Sequence, residues 1–310
     1  MIKREFDASV WQNEMPPSKE QIIENGTDCE GIVTLLSDPI SADVIERLPD
    51  LRVIAQYAAG YDNIDLKYAT KRGIIVTNTP GVLTETTADL TWALIMAASR
   101  RIVEADRYVR RGHWRVAWGP ELLLGSDIHG ATLGIIGLGR IGSAVARRAC
   151  GFNMKILYSS LTAKESDKGL QESLGAHRVD MDTLLRNSDI VTLHVPLTSE
   201  TRHLIGKTEL AKMKPSAILV NTSRGPVVDE EALYQALRSK RLAAAGLDVF
   251  ADEPIRLDSP LLELENVVLL PHIGSASTRT RSTMAKMCAE NLRVALSGAR
   301  PPNVVNPEVL

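Results

Sequence analysis

Aromatic residues are scarce, at 4% of 310, and three cysteines occur, none in a CxxC pair. Cys29, Cys150 and Cys288 lie far apart, which argues against a disulfide scaffold or a zinc ribbon and suits a reducing cytoplasm. An excess of charge is also missing: the formal net charge is −2, and Lys and Arg never run beyond short pairs. No broad cationic surface for nucleic acid or an anionic membrane is therefore expected. The start, MIKREFDASV, has no apolar signal core, and no apolar run approaches the length of a membrane span. The six histidines show no ligand-like pairing, so no metal is expected.

Hydrophobic residues make up 44% of the chain, enough for well-buried cores in one large domain or two ordinary ones. The most informative stretch is GATLGIIGLGRIG, 130–142. An apolar run stops at Gly137-Leu-Gly139-Arg-Ile-Gly142 and passes into SAVARRA, which reads as buried strand, tight glycine turn and helix. That is the setting in which GxGxxG binds a dinucleotide: the glycines allow the turn, the approach of backbone to pyrophosphate, and close helix packing. The helix start then offers bare N–H groups and a partial positive charge to the phosphates.

Residues 1–80 read as a small α/β unit with strands at 31–35, 51–56 and 74–77 and a helix over Ala42–Leu48. Asn78-Thr-Pro80-Gly81 marks a crossing between units. One long helix is expected from Thr84 to Gly112, buried in its first half around Ala88, Trp92, Leu94, Ile95 and Met96. The following HWRVAWGPELLLG, 113–125, is a surface loop whose two tryptophans suit a subunit contact. Strands recur at 155–158, 190–194, 217–221, 245–249 and 267–270, giving a doubly wound sheet with its ligand crevice at the strand C-terminal ends. Polar residues gather at four of those ends: His194, Asn221-Thr222-Ser223-Arg224, Asp248 and His272. A helical stripe at Met284, Met287, Cys288, Leu292 and Ala295 precedes a tail, NVVNPEVL, expected to be extended and to pack back on the first unit.

The strand after the glycines ends in Tyr158-Ser159-Ser160-Leu-Thr162, with Lys164 beyond, where NAD-binding proteins place a carboxylate on the ribose. With no acid there, hydroxyls and a lysine favour NADP(H), and NAD(H) stays open. His272 and Glu253, both in loops after strands, suit an acid–base pair in which the carboxylate favours the charged imidazole. Spacing alone equally allows a loop histidine beside an unrelated glutamate. Arg224 follows an apolar strand directly, where a guanidinium can clamp a carboxylate and polarise a carbonyl; a surface ion pair is its other reading.

Seven segments, AQYAAGYDNIDL (55–66), TNTPGVLTETTAD (77–89), LGIIGLGRIG (133–142), LHVPLTSET (193–201), NTSRGPVVDE (221–230), GLDVFADEP (246–254) and LPHIGSAS (270–277), occur in an order that resembles the D-2-hydroxyacid dehydrogenase family, and most closely its glyoxylate/hydroxypyruvate reductase branch. The resemblance implies a Rossmann-type doubly wound domain, 81–271, inserted in a smaller flavodoxin-like α/β substrate domain, 1–80 with 272–310. It implies an NAD(P)H-dependent reduction of small 2-oxo acids, glyoxylate to glycolate and hydroxypyruvate to D-glycerate, with 3-phosphoglycerate or D-lactate enzymes and NAD(H)-sensing corepressors as alternatives. Arg224, Glu253 and His272 match the catalytic triad. Ala59 and Gly60 match the loop whose amides receive the substrate carboxylate, Leu36 a residue lining that pocket, and Ser275 a polar neighbour of the histidine. Besides Gly137, Gly139 and Gly142, the cofactor side comprises Thr87, Arg140, Ile141, Ser159, Ser160, His194, Val195, Pro196, Thr201, Thr222, Ser223, Asp248 and Gly274. Asp248 matches the carboxamide contact. Trp118 matches a residue that enters the partner subunit's active site, so a homodimer is implied, as is closure of two domains over the ligands. Two departures stand out. The basic residue often seen in NADP-using relatives after the second cofactor-domain strand is absent. The family's first strand and helix are also expected to be missing, since only MIKRE precedes FDASVW, through either a late start or an altered small domain.

Overall fold

The computed structural model describes residues 2–160, 169 and 173–310. The chain divides into two compact units, Met1–Leu83 with Ser275–Leu310, and Thr84–Gly274.

The first unit contains α1 (Ile2–Glu5), α2 (Lys19–Gly26), β1 (Gly31–Thr34), α3 (Ala42–Glu46), β2 (Val53–Gln56), α4 (Leu66–Lys71), β3 (Ile75–Thr77) and, from the C-terminal part, α11 (Thr278–Leu296). Its described strands form a parallel sheet in the order β1-β2-β3. Successive side chains of β2 go to opposite faces, as strand geometry requires. Ile54 joins Ile40, Val44, Ile45 and Ile74 on one side, while Val53 and Ala55 meet Cys288, Leu292 and Ala295 of α11 on the other. The tail is extended over its first part: Val305 N–H donates to Val76 O at 2.8 Å, and Asn306 Oδ1 accepts from Val76 N–H at 2.8 Å. It ends in a 3₁₀ turn at Pro307–Val309.

The second unit contains α5 (Thr84–Ser99), α6 (Ile102–Arg110), β4 (Thr132–Ile136), α7 (Arg140–Ala149), β5 (Lys155–Ser159), β6 (Ala176–Arg178), α8 (Met181–Asn187), β7 (Ile190–Leu193), α9 (Lys207–Lys212), β8 (Ile218–Asn221), α10 (Glu230–Arg238), β9 (Ala244–Leu247) and β10 (Val267–Leu269). Its strands lie parallel in the order β10-β9-β8-β7-β4-β5-β6. Strand order reverses between β4 and β7, and such a reversal opens a crevice at the carboxyl ends of the strands. β7, β8 and β9 are buried throughout, because helices cover both faces. Ala88, Trp92 and Ile95 of α5 and Val145 of α7 fill one face, and Leu184, Leu210, Leu233 and Leu237 of α8, α9 and α10 fill the other. Trp92 stacks on Phe152 with centroids 4.7 Å apart.

Two expectations are corrected here. The single helix from Thr84 to Gly112 is two helices, broken where Arg101 adopts φ 51°. The carbonyl of Ser99 accepts from Ser126 N–H at 2.8 Å instead of continuing a helical ladder. The second correction concerns His272, which lies in the second unit and not with 275–310. Asp248 binds the two amides that follow it, and Thr87 Oγ1 donates to Gly274 O at 3.1 Å, so the segment through Gly274 stays with the larger sheet. Among the described residues no helix is long and apolar enough to cross a membrane, and no group of three His, Cys, Asp or Glu could hold a metal ion.

Candidate active site

At the end of β4, Gly137 turns at φ 94°, a backbone state that glycine enters without steric cost. Its N–H donates to Ser159 O at 2.9 Å, which ties the turn to the end of β5. No side chain caps α7 at Gly139. The first helical bond runs from Ser143 N–H to Gly139 O, so the amides of Arg140, Ile141 and Gly142 have no partner among the described residues. A Cβ on Gly142 would stand 2.2 Å from Gly137 O, while one on Gly139 would meet nothing within 4 Å. The protein therefore closes over the last glycine and leaves the middle one open. An uncapped helix start beside an open glycine backbone is the donor set a pyrophosphate needs.

The neighbouring loops are self-bonded. Thr201 Oγ1 donates to Pro196 O at 2.6 Å and accepts from Thr198 N–H at 2.8 Å, folding the turn that Val195 begins. Ser223 N–H and Oγ–H both donate to Asn221 Oδ1, and Thr222 Oγ1 shares a 2.9 Å hydrogen bond with Thr91 Oγ1. His194 contributes differently from the other strand-end polar residues. Although the residue as a whole is half-buried, both ring nitrogens are sealed from solvent with no partner among the described residues. Burial pushes the imidazole down to about 3, so the ring is neutral and carries no charge for catalysis. Its carbonyl lies against Gly137, where any side chain would collide.

Three of the predicted residues come together around the β8, β9 and β10 ends. His272 adopts φ 51°, and its Nδ1 lies 2.6 Å from Glu253 Oε2. Phe250 N–H donates to the other oxygen of Glu253 at 3.1 Å. Burial pushes the Glu253 carboxyl up, but the His272 bond and charge, the Phe250 amide and the Arg224 charge together hold it below the usual carboxylate range. The negative carboxylate is thus the form this pocket selects. Arg224 is half-buried at the end of β8, with Nη1 donating to Ser223 O at 2.8 Å. Asp248 receives Ile273 N–H and Gly274 N–H, each at 2.8 Å. Burial pushes this carboxyl up to about 6, despite those two bonds and the His272 charge.

The Arg224 and Glu253 loops also grip one another. A Cβ on Gly225 would stand 1.8 Å from the Phe250 carbonyl carbon, and Glu230 Oε1 accepts from Ala251 N–H. Sequence reasoning passed over Glu230, whose only signal is an acid beside the cap residue Asp229. It also missed that Asp248 meets backbone amides, a contact between loops that spacing does not reveal.

In the first unit, the loop after β2 has its carbonyls pinned. Thr79 N–H donates to Ala58 O at 2.8 Å, Asn78 Nδ2 to Ala59 O at 2.7 Å and Gln56 Nε2 to Gly60 O at 3.2 Å. Gln56 is itself held by Thr34 Oγ1 at 2.6 Å. The amides of Ala59 and Gly60 meet no acceptor among the described residues. Consecutive bare N–H groups on a fixed loop make an anion cradle. Leu36 is half-buried in the loop after β1, and Ser275 opens the C-terminal part of this unit, accepting Ser277 N–H at 2.8 Å.

Trp118 stands apart from the other predicted residues of its unit, 77% exposed in the loop after α6, near exposed Trp114, Val116 and Leu124. A cleft of about 920 Å³ opens beside this loop at the N-terminal ends of β8, β9 and β10. Arg101, Tyr108, Leu124, Arg238 and Val267 line it; Arg224, Glu253 and His272 do not. Ser159 ends β5 and Ser160 follows it, whereas Thr162 and Lys164 lie outside the described residues.

The sequence profile of the family described as D-isomer specific 2-hydroxyacid dehydrogenase, NAD binding domain, matches residues 92–274. Glyoxylate reductase of Korarchaeum cryptofilum is 60% identical over 309 residues, covering 100% of this chain and 92% of its own length. A solved glyoxylate reductase from Paecilomyes thermophila superposes with a TM-score of 0.84 at 36% identity, over 95% of this chain and 90% of that one. An NADPH-dependent glyoxylate/hydroxypyruvate reductase from Sinorhizobium meliloti, solved in complex with NADP and malonate, gives 0.84 at 34% identity over 94% and 88%.

Proposed function

Because the chain belongs to the D-isomer specific 2-hydroxyacid dehydrogenase family, we propose that it reduces small 2-oxo acids, glyoxylate to glycolate and hydroxypyruvate to D-glycerate, using NADPH in preference to NADH. The observation that carries the chemistry is the 2.6 Å contact between His272 Nδ1 and Glu253 Oε2. With Nδ1 committed to the carboxylate, Nε2 is the atom left to face substrate. His272 delivers a proton from Nε2 to the carbonyl oxygen in reduction and removes it in the reverse reaction. Glu253 holds the ring in place and balances the charge it carries. Arg224 binds the substrate carboxylate and keto oxygen, and its charge stabilises the alkoxide as it develops. Ala59 and Gly60 offer their amides to the carboxylate, with Leu36 lining the pocket and Ser275 beside the histidine. The nicotinamide, when bound, supplies the hydride.

The residues we assign to the cofactor are the open turn Gly137–Gly142, with Ser159 and Ser160 at the ribose. His194, Val195, Pro196 and Thr201 form the loop on the adenine side, and Thr87, Thr222, Ser223, Asp248 and Gly274 lie on the nicotinamide side. We take Met1–Leu83 with Ser275–Leu310 as the substrate domain and Thr84–Gly274 as the dinucleotide domain. The chain works as a homodimer in which Trp118 reaches the partner's pocket; exposed Trp114, Val116 and Trp118 beside a large cleft support this. Three free cysteines suit the reducing cytoplasm.

Turnover of glyoxylate, hydroxypyruvate and pyruvate with NADPH and with NADH, side by side, tests the proposal. NADPH oxidation on addition of the first two is expected, and His272→Asn should lose about 10²-fold or more in kcat while still binding cofactor. Absence of turnover with either cofactor across the panel would sink it.

A further inference from the structure

The end of β5 carries no acid, and the basic residue expected after it is missing, yet a cation stands there from another strand. β6 pairs with β5 so that Arg178 lies opposite Tyr158, one residue before Ser159. Arg178 Nη2 donates to Ser160 O at 3.1 Å, and Ser159 O accepts from the Gly137 amide at 2.9 Å. One run of contacts therefore joins the guanidinium to the glycine turn. Arg178 is exposed, and among the described residues no acid pairs with it. The nearest downstream acids are engaged elsewhere. Asp180 caps α8 through Thr183 N–H and Oγ1, and Asp182 pairs with Lys212 and Arg186. A guanidinium has five N–H donors, and the Ser160 carbonyl occupies one of them.

In a dinucleotide bound at such a turn, the adenosine ribose 2′ position meets the end of the second strand, where an acid selects NAD and a nearby arginine admits the 2′-phosphate. We propose that Arg178 receives the 2′-phosphate of NADP(H), with Ser159 and Ser160 as hydroxyl partners. The assignment rests on the reading that the glycine turn holds a nicotinamide dinucleotide. Anchored through one Nη2 hydrogen, the arginine keeps one two-pronged edge and its remaining donors for phosphate oxygens and repels no ligand charge. Cofactor choice is thus set from β6, whose three-residue sequence AHR carries no visible strand signal.

Titration of the purified full-length protein with NADPH and NADH, followed by cofactor fluorescence, tests this without turnover. Arg178→Ala should weaken NADPH about tenfold or more and leave NADH within about twofold, while Arg178→Lys recovers part of the loss. Displacement of bound NADPH by 2′,5′-ADP in the same titration should weaken in parallel, and displacement by 5′-AMP should not. An unchanged NADPH dissociation constant, or an equal loss for both cofactors, overturns the assignment. Wild-type protein that binds neither cofactor would instead overturn the glycine-turn reading, and this assignment with it.

Discussion

His272 is held from two directions, and each restraint carries its own pH signature. A non-glycine residue at φ 51° is uncommon, and Asp248 secures it by taking the next two amides at 2.8 Å each. That grip buries a carboxyl whose value rises from 3.8 to about 6. A raised acid binds its proton more tightly in the folded chain, so its contribution to stability falls as pH climbs from about 4 to about 6. Glu253, held low, works in the opposite sense, adding stability above its unfolded value and losing it as pH falls. Comparing wild type with Asp248→Asn isolates the first effect. In calorimetry from pH 4 to 7, the wild-type advantage in Tm should be greatest near pH 4, shrink as pH rises to about 6 and level off above it. A gap that does not change with pH would contradict the burial argument.

Among the elements, the strand–turn–helix at 132–149 separates glycines kept for the fold from those kept for a ligand. Gly142→Ala drives a Cβ to within 2.2 Å of a carbonyl oxygen and should cost about 1–3 kcal/mol in urea unfolding. Gly139→Ala meets nothing within 4 Å, so it should fold with wild-type stability yet bind NADPH at least about tenfold more weakly. If Gly139→Ala bound normally, the open face would not be the phosphate site. This turn was legible in the sequence because strand, glycines and helix are contiguous. β6 was not, since three residues offer no alternation to read. Nor was the break at Arg101, because the local pattern is helical on both sides and the competing bond comes from Ser126, far along the chain.

At the scale of the whole molecule, motif order exposed the inserted arrangement of the chain. The place of His272 was not legible, because the bonds from Asp248 and Thr87 that decide it are tertiary. The exposed loop bearing Trp118 is where the proposed homodimer can be tested. If Trp118 completes a partner's pocket, Trp118→Ala should raise KM for glyoxylate about threefold or more with NADPH affinity unchanged. Equilibrium sedimentation should still report a dimer, and wild-type kinetics for the variant would refute the shared pocket.

The loop at Ala58–Gly60 has its carbonyls fastened by Thr79, Asn78 and Gln56, which in the proposed site leaves two bare main-chain amides to join Arg224 on the substrate carboxylate. Such recognition does not depend on which side chains the loop carries. Mutational drift could therefore reshape the wall of the proposed pocket at Leu36 and alter which oxo acid fits while the main-chain grip on its carboxylate is inherited intact. Diversification of substrate range in this architecture would be gradual, with no intermediate that loses the common handle.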